Sequence, residues 1–321
     1  MDSLNPSIKP RVMVASELAY DLRELLQTEF PEVSFCYVTD PQFLASSLEQ
    51  FQPQIVFSIR GASFPGEAHR AIVDAPYVNW VQVGGSGYEH LWPWERTNLT
   101  VSNCAGVLAR HLAETVTGAM LALNGNFLTY LRQQQQNCWL PHEFEPLADQ
   151  TLLIVGLGHI GRCVADNAKA LGMRVIGVRR EPIPHPSVDW LATPQELQDL
   201  LGEADVVSLH LRLTAETHRL FDAQTFSNMK QNSLFLNTSR GGLVDEDALI
   251  AALKTGQLRG AYLDVFEQEP LPSDSLLWAL PNVLITPHSA DDVTRWHRKF
   301  ASFFADNLRR WINGQELLNV V

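Results

Sequence analysis

Only four of the 321 residues are cysteine, Cys36, Cys104, Cys138 and Cys163, and no two of them form a CxxC pair. Histidines do not cluster beside them, so the sequence argues against a zinc site or a redox dithiol and for reduced thiols. Basic residues are scarce as well: 24 Lys and Arg against 36 Asp and Glu give a formal charge of −12. A protein that coats nucleic acid or an anionic membrane needs a basic face, which this balance does not supply. No apolar run approaches the roughly 18 residues that span a bilayer. Met1–Pro10 has neither the basic start nor the apolar stretch of a signal peptide, so a cytoplasmic location is expected. Low complexity is confined to Gln133–Gln136. What is present is ordinary globular composition, 45% apolar and 19% charged, which excludes a disordered or collagen-like chain. The length allows two domains.

Short β-branched or aromatic runs alternate with helical stretches over the first hundred or so residues. Strands are expected at Arg11–Ala15, Val33–Val38, Ile55–Ile59 and Trp80–Val83, with helices over Glu17–Phe30 and Pro41–Phe51. From Val107 to about Gln136 the pattern reads as one long helix, with Leu112, Val116, Met120, Leu123, Phe127 and Leu131 at three- and four-residue steps. A second series of strands follows at Thr151–Val155, Val175–Val178, Val206–Leu209, Leu234–Leu236, Ala261–Leu263 and Val283–Ile285. The last segment, Trp296–Ile312, is amphipathic and is expected to pack back on the first series. Such alternation indicates an α/β fold with parallel sheets.

The second series opens on a glycine turn. Gly156, Gly158 and Gly161 form GxGxxG directly after a strand and at the start of a helix. One glycine makes the tight turn, one lets backbone approach a pyrophosphate, and one permits close helix–strand contact. His159 and Ile160 belong to the same dinucleotide-binding turn, the His159 ring pointing away from the phosphates. An NAD site usually carries an acid about 20 residues further on, for the ribose hydroxyls. Here the second strand ends in Arg179 and Arg180, which suit a 2′-phosphate. NADP(H) is therefore the preferred cofactor, with NAD(H) possible.

Three polar groups follow strand ends in the last third of the chain: Arg240 in Asn237–Gly242, Glu269 in Asp264–Pro270 and His288 in Thr286–Ser289. An Arg, a Glu and a His converging beside a nicotinamide make a hydride-transfer site. The Arg binds a carboxylate, the His exchanges a proton with the carbonyl or hydroxyl oxygen, and the Glu orients the imidazole.

Taken together, Gly156-Leu-Gly-His-Ile-Gly161, Asn237-Thr-Ser-Arg-Gly-Gly242, Leu263-Asp-Val-Phe-Glu-Gln-Glu-Pro-Leu-Pro272 and Thr286-Pro-His288 resemble the D-isomer-specific 2-hydroxyacid dehydrogenases. The resemblance runs over nearly the whole chain. Within the family, Gln133–Pro141 and Ser275–Trp278 look most like the NADPH-dependent glyoxylate/hydroxypyruvate reductases. The resemblance implies Arg240 as carboxylate anchor, Glu269 as the acid paired with the histidine, and His288 as proton donor, with Glu267 a nearby decoy. It further implies that Asp264 contacts the nicotinamide carboxamide, and that backbone at Gly61 and Ala62 holds the substrate carboxylate. Thr217, Thr238 and Ser239 join the cofactor-binding set, and a homodimer is implied, with Trp139 in a pocket or dimer role. Asp291 and Asp292, where relatives carry small or apolar residues, are expected to face solvent.

The sequence thus reads as an NADPH-dependent reductase of a small 2-oxo acid. The resemblance implies two Rossmann-like domains, flavodoxin-like and Rossmann, with parallel sheets and an interdomain cleft: residues 1–103 and 289–321 would form a discontinuous substrate-binding domain, and 104–288 the NAD(P)-binding domain. Two alternatives stay open at this point: an NAD-linked dehydrogenase of a larger 2-hydroxy acid, and a non-catalytic dinucleotide-sensing protein.

Overall fold

Strands that are apolar on both faces need cover on both sides, and the parallel α/β arrangement supplies it. A computed structural model describes residues 10–321 apart from 62, 95, 96, 98 and 182. The chain divides into two compact units, one made of the residues up to Leu108 together with Val293–Val321, the other of Ala109–Asp292. Both divisions fall a few residues later than 103/104 and 288/289. The reason is packing: Cys104 and Leu108 are buried in the core of the first unit, and Ala290 in that of the second.

The first unit holds β1 (Arg11–Ala15), β2 (Ser34–Val38), β3 (Ile55–Ile59), β4 (Trp80–Gly84) and β5 (Thr100–Asn103), all parallel, in the order β2-β1-β3-β4-β5. The helix Trp296–Ile312 covers one face. Its Phe304 stacks on Phe57 with ring centroids 4.6 Å apart and leans on Trp80 at 5.5 Å. Fully burying such a side chain contributes about 1.5–3 kcal/mol. The polar atoms that go inside with it are paired. Trp80 Nε1 donates to Ser102 Oγ, and Gln82 Oε1 accepts from both Ser102 and Asn307.

The second unit holds β6 (Thr151–Val155), β7 (Arg174–Val178), β8 (Trp190–Ala192), β9 (Val206–Leu209), β10 (Ser233–Asn237), β11 (Leu258–Leu263) and β12 (Val283–Ile285). They form one parallel sheet in the order β12-β11-β10-β9-β6-β7-β8. Chain order reverses between β6 and β9, and in open α/β sheets that switch point is where ligands bind, beyond the strand C-termini.

The single helix expected over Val107–Gln136 is two. Ala109–Asn124 ends, and Phe127–Gln135 begins, around a left-handed Asn126 with φ +59°. The Asn126 side-chain amide donates to Glu143 O at 3.1 Å and pins the break. Leu123, Phe127 and Leu131 are four apart, so the apolar spacing runs straight through it and conceals it. Leu112, Val116, Met120 and Leu123 enter the core, whereas Phe127 and Leu131 are exposed. Two short edge strands, β5 and β8, lack the long apolar runs that reveal a central strand. No helix among the described residues is long and apolar enough to cross a membrane.

Candidate functional site

The glycine turn follows β6, every residue of which is buried. Gly156 has φ +106°, and a Cβ there would lie 2.4 Å from the His210 carbonyl oxygen at the end of β9. A Cβ on Gly161 would lie 2.3 Å from Gly156 O, so the helix His159–Ala170 can approach the turn only with glycine at that position. Gly158 differs: a Cβ built there meets nothing within 4 Å, which leaves an open cradle at the helix N-terminus. No side chain caps that terminus. Its first-turn N–H groups and the helix dipole therefore point at the space where a pyrophosphate would sit. A dinucleotide fits these residues.

Arg179 and Arg180 follow β7 directly, and Arg179 N donates to Ala192 O at 3.1 Å. Glu216 stands near them. Its carboxyl is lowered first by hydrogen bonding to Thr214 and then by its own backbone, with a smaller contribution from the Arg180 charge. The Thr214–Thr217 loop thus lies on the Arg180 side. The Thr217 hydroxyl is engaged within that loop, donating to Arg212 O and accepting from Thr214 N. Ser239 is engaged likewise, its hydroxyl donating to Leu209 O at 2.5 Å. Thr238 Oγ1 and His210 Nδ1 are buried without a protein partner, at the C-terminal ends of the neighbouring strands β10 and β9. Burial holds His210 neutral, at about 3.

Arg240, Glu269 and His288 line one cavity of about 600 Å³ in the second unit, together with Arg219 and Glu267. His288 Nδ1 lies 2.7 Å from Glu269 Oε2, and the other carboxylate oxygen of Glu269 accepts from Phe266 N at 3.0 Å. The imidazole is therefore oriented through Nδ1, leaving Nε2 for exchange with a ligand. Glu267 is directed elsewhere: its carboxylate accepts from Arg219 Nε at 3.1 Å, and Arg219 also lies 3.6 Å from Asp245. Arg240 Nη1 donates to Ser239 O at 2.7 Å, which fixes part of its fork and leaves the other donors free.

Three groups hold this triad that the motif reading did not single out. Asn237 accepts from Ser239 N and donates to Arg240 O, shaping the turn that presents the arginine. Tyr262 and Thr286 share a hydrogen bond of 2.9 Å, and Thr286 donates to Asp264 Oδ1 at 2.5 Å. Asp264 itself is buried. Its Oδ1 also accepts from Ser289 N and Ala290 N, and its carbonyl oxygen accepts from His288 N. This clamp holds His288 at φ +51°, a left-handed conformation that costs roughly 1–3 kcal/mol for a residue with a side chain. Asp264 thus faces the histidine loop. Asn237 and Thr286 lie inside the motifs at Asn237–Gly242 and Thr286–His288, whereas Tyr262 lies in the strand just before Leu263.

Gly61 belongs to the first unit. Its N–H donates to Phe64 O at 3.1 Å and its carbonyl accepts from Phe64 N, while Ser63 N donates to Glu17 Oε2 at 2.8 Å. Ala62 lies outside the described residues. Asp291 and Asp292 are both exposed. Among the described residues no group of three or more His, Cys, Asp or Glu side chains is arranged to hold a metal ion.

The model of the D-isomer-specific 2-hydroxyacid dehydrogenase NAD-binding domain matches residues 117–290. A glyoxylate reductase of Korarchaeum cryptofilum is 35% identical over 259 residues, 77% of either chain. A crystal structure of a D-isomer-specific 2-hydroxyacid dehydrogenase family protein from Aeromonas salmonicida superposes with a TM-score of 0.85 at 30% identity, covering 98% of this chain and 99% of that one. A glyoxylate/hydroxypyruvate reductase of Sinorhizobium meliloti, described as NADPH-dependent and crystallised with NADP and sulfate, superposes with a TM-score of 0.82 at 26% identity. That match covers 98% of both chains.

Proposed function

Because the chain belongs to the D-isomer-specific 2-hydroxyacid dehydrogenase family, we propose that it reduces a small 2-oxo acid, of the glyoxylate or hydroxypyruvate kind, to the D-2-hydroxy acid with NADPH as preferred cofactor. The observation that carries this reading is the Glu269–His288 pair lining the same cavity as Arg240. The glyoxylate reductase and glyoxylate/hydroxypyruvate reductase relatives support the substrate class, and the NADP-bound relative supports the cofactor.

In this reading Arg240 binds the substrate carboxylate bidentately and polarises the adjacent carbonyl. His288 Nε2 gives its proton to the carbonyl oxygen, while Glu269 holds the ring and stabilises the charged form needed for donation. When bound, the reduced dinucleotide supplies the hydride for substrate C2. Gly156, Gly158, His159, Ile160 and Gly161 hold its pyrophosphate through backbone, and Arg179 and Arg180 take the 2′-phosphate. Thr238 contacts it through the unpartnered hydroxyl, and Thr217, Ser239 and Asp264 complete the cofactor-binding set, Asp264 at the nicotinamide carboxamide. The unit Ala109–Asp292 is then the NAD(P)-binding domain. The other unit is the substrate-binding domain, with Gly61 and Ala62 contributing backbone to the substrate carboxylate.

We also assign a cytoplasmic location and a homodimer. The dimer contact is placed on the apolar surface beyond Asn126, where Phe127, Leu131, Leu140 and Phe144 are exposed and Trp139 is 99% exposed. A panel of 2-oxo acids assayed with NADPH and with NADH tests the activity. Turnover of glyoxylate or hydroxypyruvate with a higher kcat/KM for NADPH is expected. Higher kcat/KM for NADH overturns the cofactor assignment, and no turnover across the panel overturns the reaction.

A further inference from the structure

The catalytic cavity lies at the C-terminal ends of the strands. A second, smaller cavity of about 100 Å³ lies at the opposite edge of the same sheet, where β10, β11 and β12 begin. It is lined by two arginines, Arg132 and Arg259, with Asn126, Thr129 and Asn282 supplying polar atoms, and no lining residue is acidic.

Arg259 is half-buried, and burial lowers its ordinary value. A buried cation is normally compensated by a carboxylate. Here Nη2 donates only to neutral amide oxygens, Asn124 Oδ1 at 2.7 Å and Gln150 Oε1 at 3.3 Å. Those two amides are in turn fixed, since Gln150 donates to Asn124 Oδ1 and both donate to Glu145 O. A guanidinium carries five donors. Nε and Nη1 of Arg259 have no acceptor among the described residues. The nearest acid to act on it is Asp205, whose carboxylate is already engaged by Lys230 at 2.6 Å and by Thr151 N at 2.9 Å. Arg132 is tied to Pro281 O and, through Nη2, to Thr129 Oγ1 at 3.3 Å, again neutral partners. Two arginines thus border one small cavity that no acidic residue lines, their recorded hydrogen bonds going to neutral groups, in a protein of formal charge −12.

We propose that this cavity binds a small oxyanion between Arg132 and Arg259. Its small volume suits a compact group such as a phosphate, sulfate or carboxylate. The planar forks of the two arginines match such oxygens, and Asn282 and Thr129 offer further donors. The site is separate from Arg179 and Arg180, which follow the C-terminal end of β7, whereas this cavity lies where β10, β11 and β12 begin.

Thermal unfolding in phosphate, sulfate or acetate, each against chloride at equal ionic strength, tests the proposal. A ligand that binds the native state raises Tm saturably. The intact protein and the double variant Arg179→Ala/Arg180→Ala should both show a saturable rise of a few degrees with phosphate, and Arg132→Gln and Arg259→Gln should lose it. Acetate reproducing the rise makes the site one for carboxylates; sulfate and phosphate alone doing so makes it one for tetrahedral anions. If Arg259→Gln does not fold, Arg132→Gln decides. An undiminished phosphate effect in Arg132→Gln, or no saturable effect in the intact protein, overturns the proposal.

Discussion

Glu269 Oε2 lies 2.7 Å from His288 Nδ1, whereas Glu267, two residues earlier, is bound to Arg219 at 3.1 Å. Two glutamates in one loop thus have different partners, and only one is coupled to the histidine. Glu269→Gln should lower kcat by at least about tenfold, because the charged imidazole loses its partner. Glu267→Gln should leave the pH dependence of kcat where it was. Steady-state pH–rate profiles of the two variants check this.

Removing Arg179 and Arg180 together should lower kcat/KM for NADPH by roughly 10- to 100-fold, the loss of a charge-assisted hydrogen bond of about 1.5–3 kcal/mol. NADH should be little affected, since it lacks the 2′-phosphate. Parallel kinetics with the two cofactors provide the check.

Much of this site was legible in the sequence because its chemistry needs particular residue types at particular strand ends. The glycine spacing, Arg240, Glu269 and His288 each follow a strand, and the strands showed as apolar runs. The helix break at Asn126 was not legible, because Leu123, Phe127 and Leu131 keep helical spacing across it. Nor was the direction of the Asp264 carboxylate. A motif fixes which residue stands there but not the hydrogen bonds from Ser289 N and Ala290 N, which form only once β11 and β12 pair side by side. The engaged N–H of Gly61 is a turn-level detail of the same kind.

Gly156→Ala should destabilise the second unit by roughly 1–3 kcal/mol or more, because φ is +106° and the added Cβ would strike the His210 carbonyl. The same change should weaken dinucleotide binding. Urea unfolding and a fluorescence titration with NADPH measure the two effects.

The first unit should be acid-sensitive. His69 and His90 pack edge to face with centroids 5.4 Å apart, and burial, with the neighbouring Arg60 charge as a smaller cause, lowers both from 6.5 to about 4. His69 Nδ1 shares a hydrogen bond with Ser58. Below 6.5 the unfolded chain takes up protons that the native histidines refuse, so stability present above 6.5 is lost as the pH falls toward 4. Thermal unfolding between pH 7.5 and 4.5 should show Tm falling through this window. Replacing His69 and His90 by glutamine should flatten that slope.

Whether His288 delivers the proton to the substrate oxygen is decided by kcat of His288→Ala with NADPH and hydroxypyruvate. A fall of roughly 10²–10⁴ is expected, with NADPH affinity unchanged in a binding titration. Turnover at the rate of the unaltered protein would contradict that role.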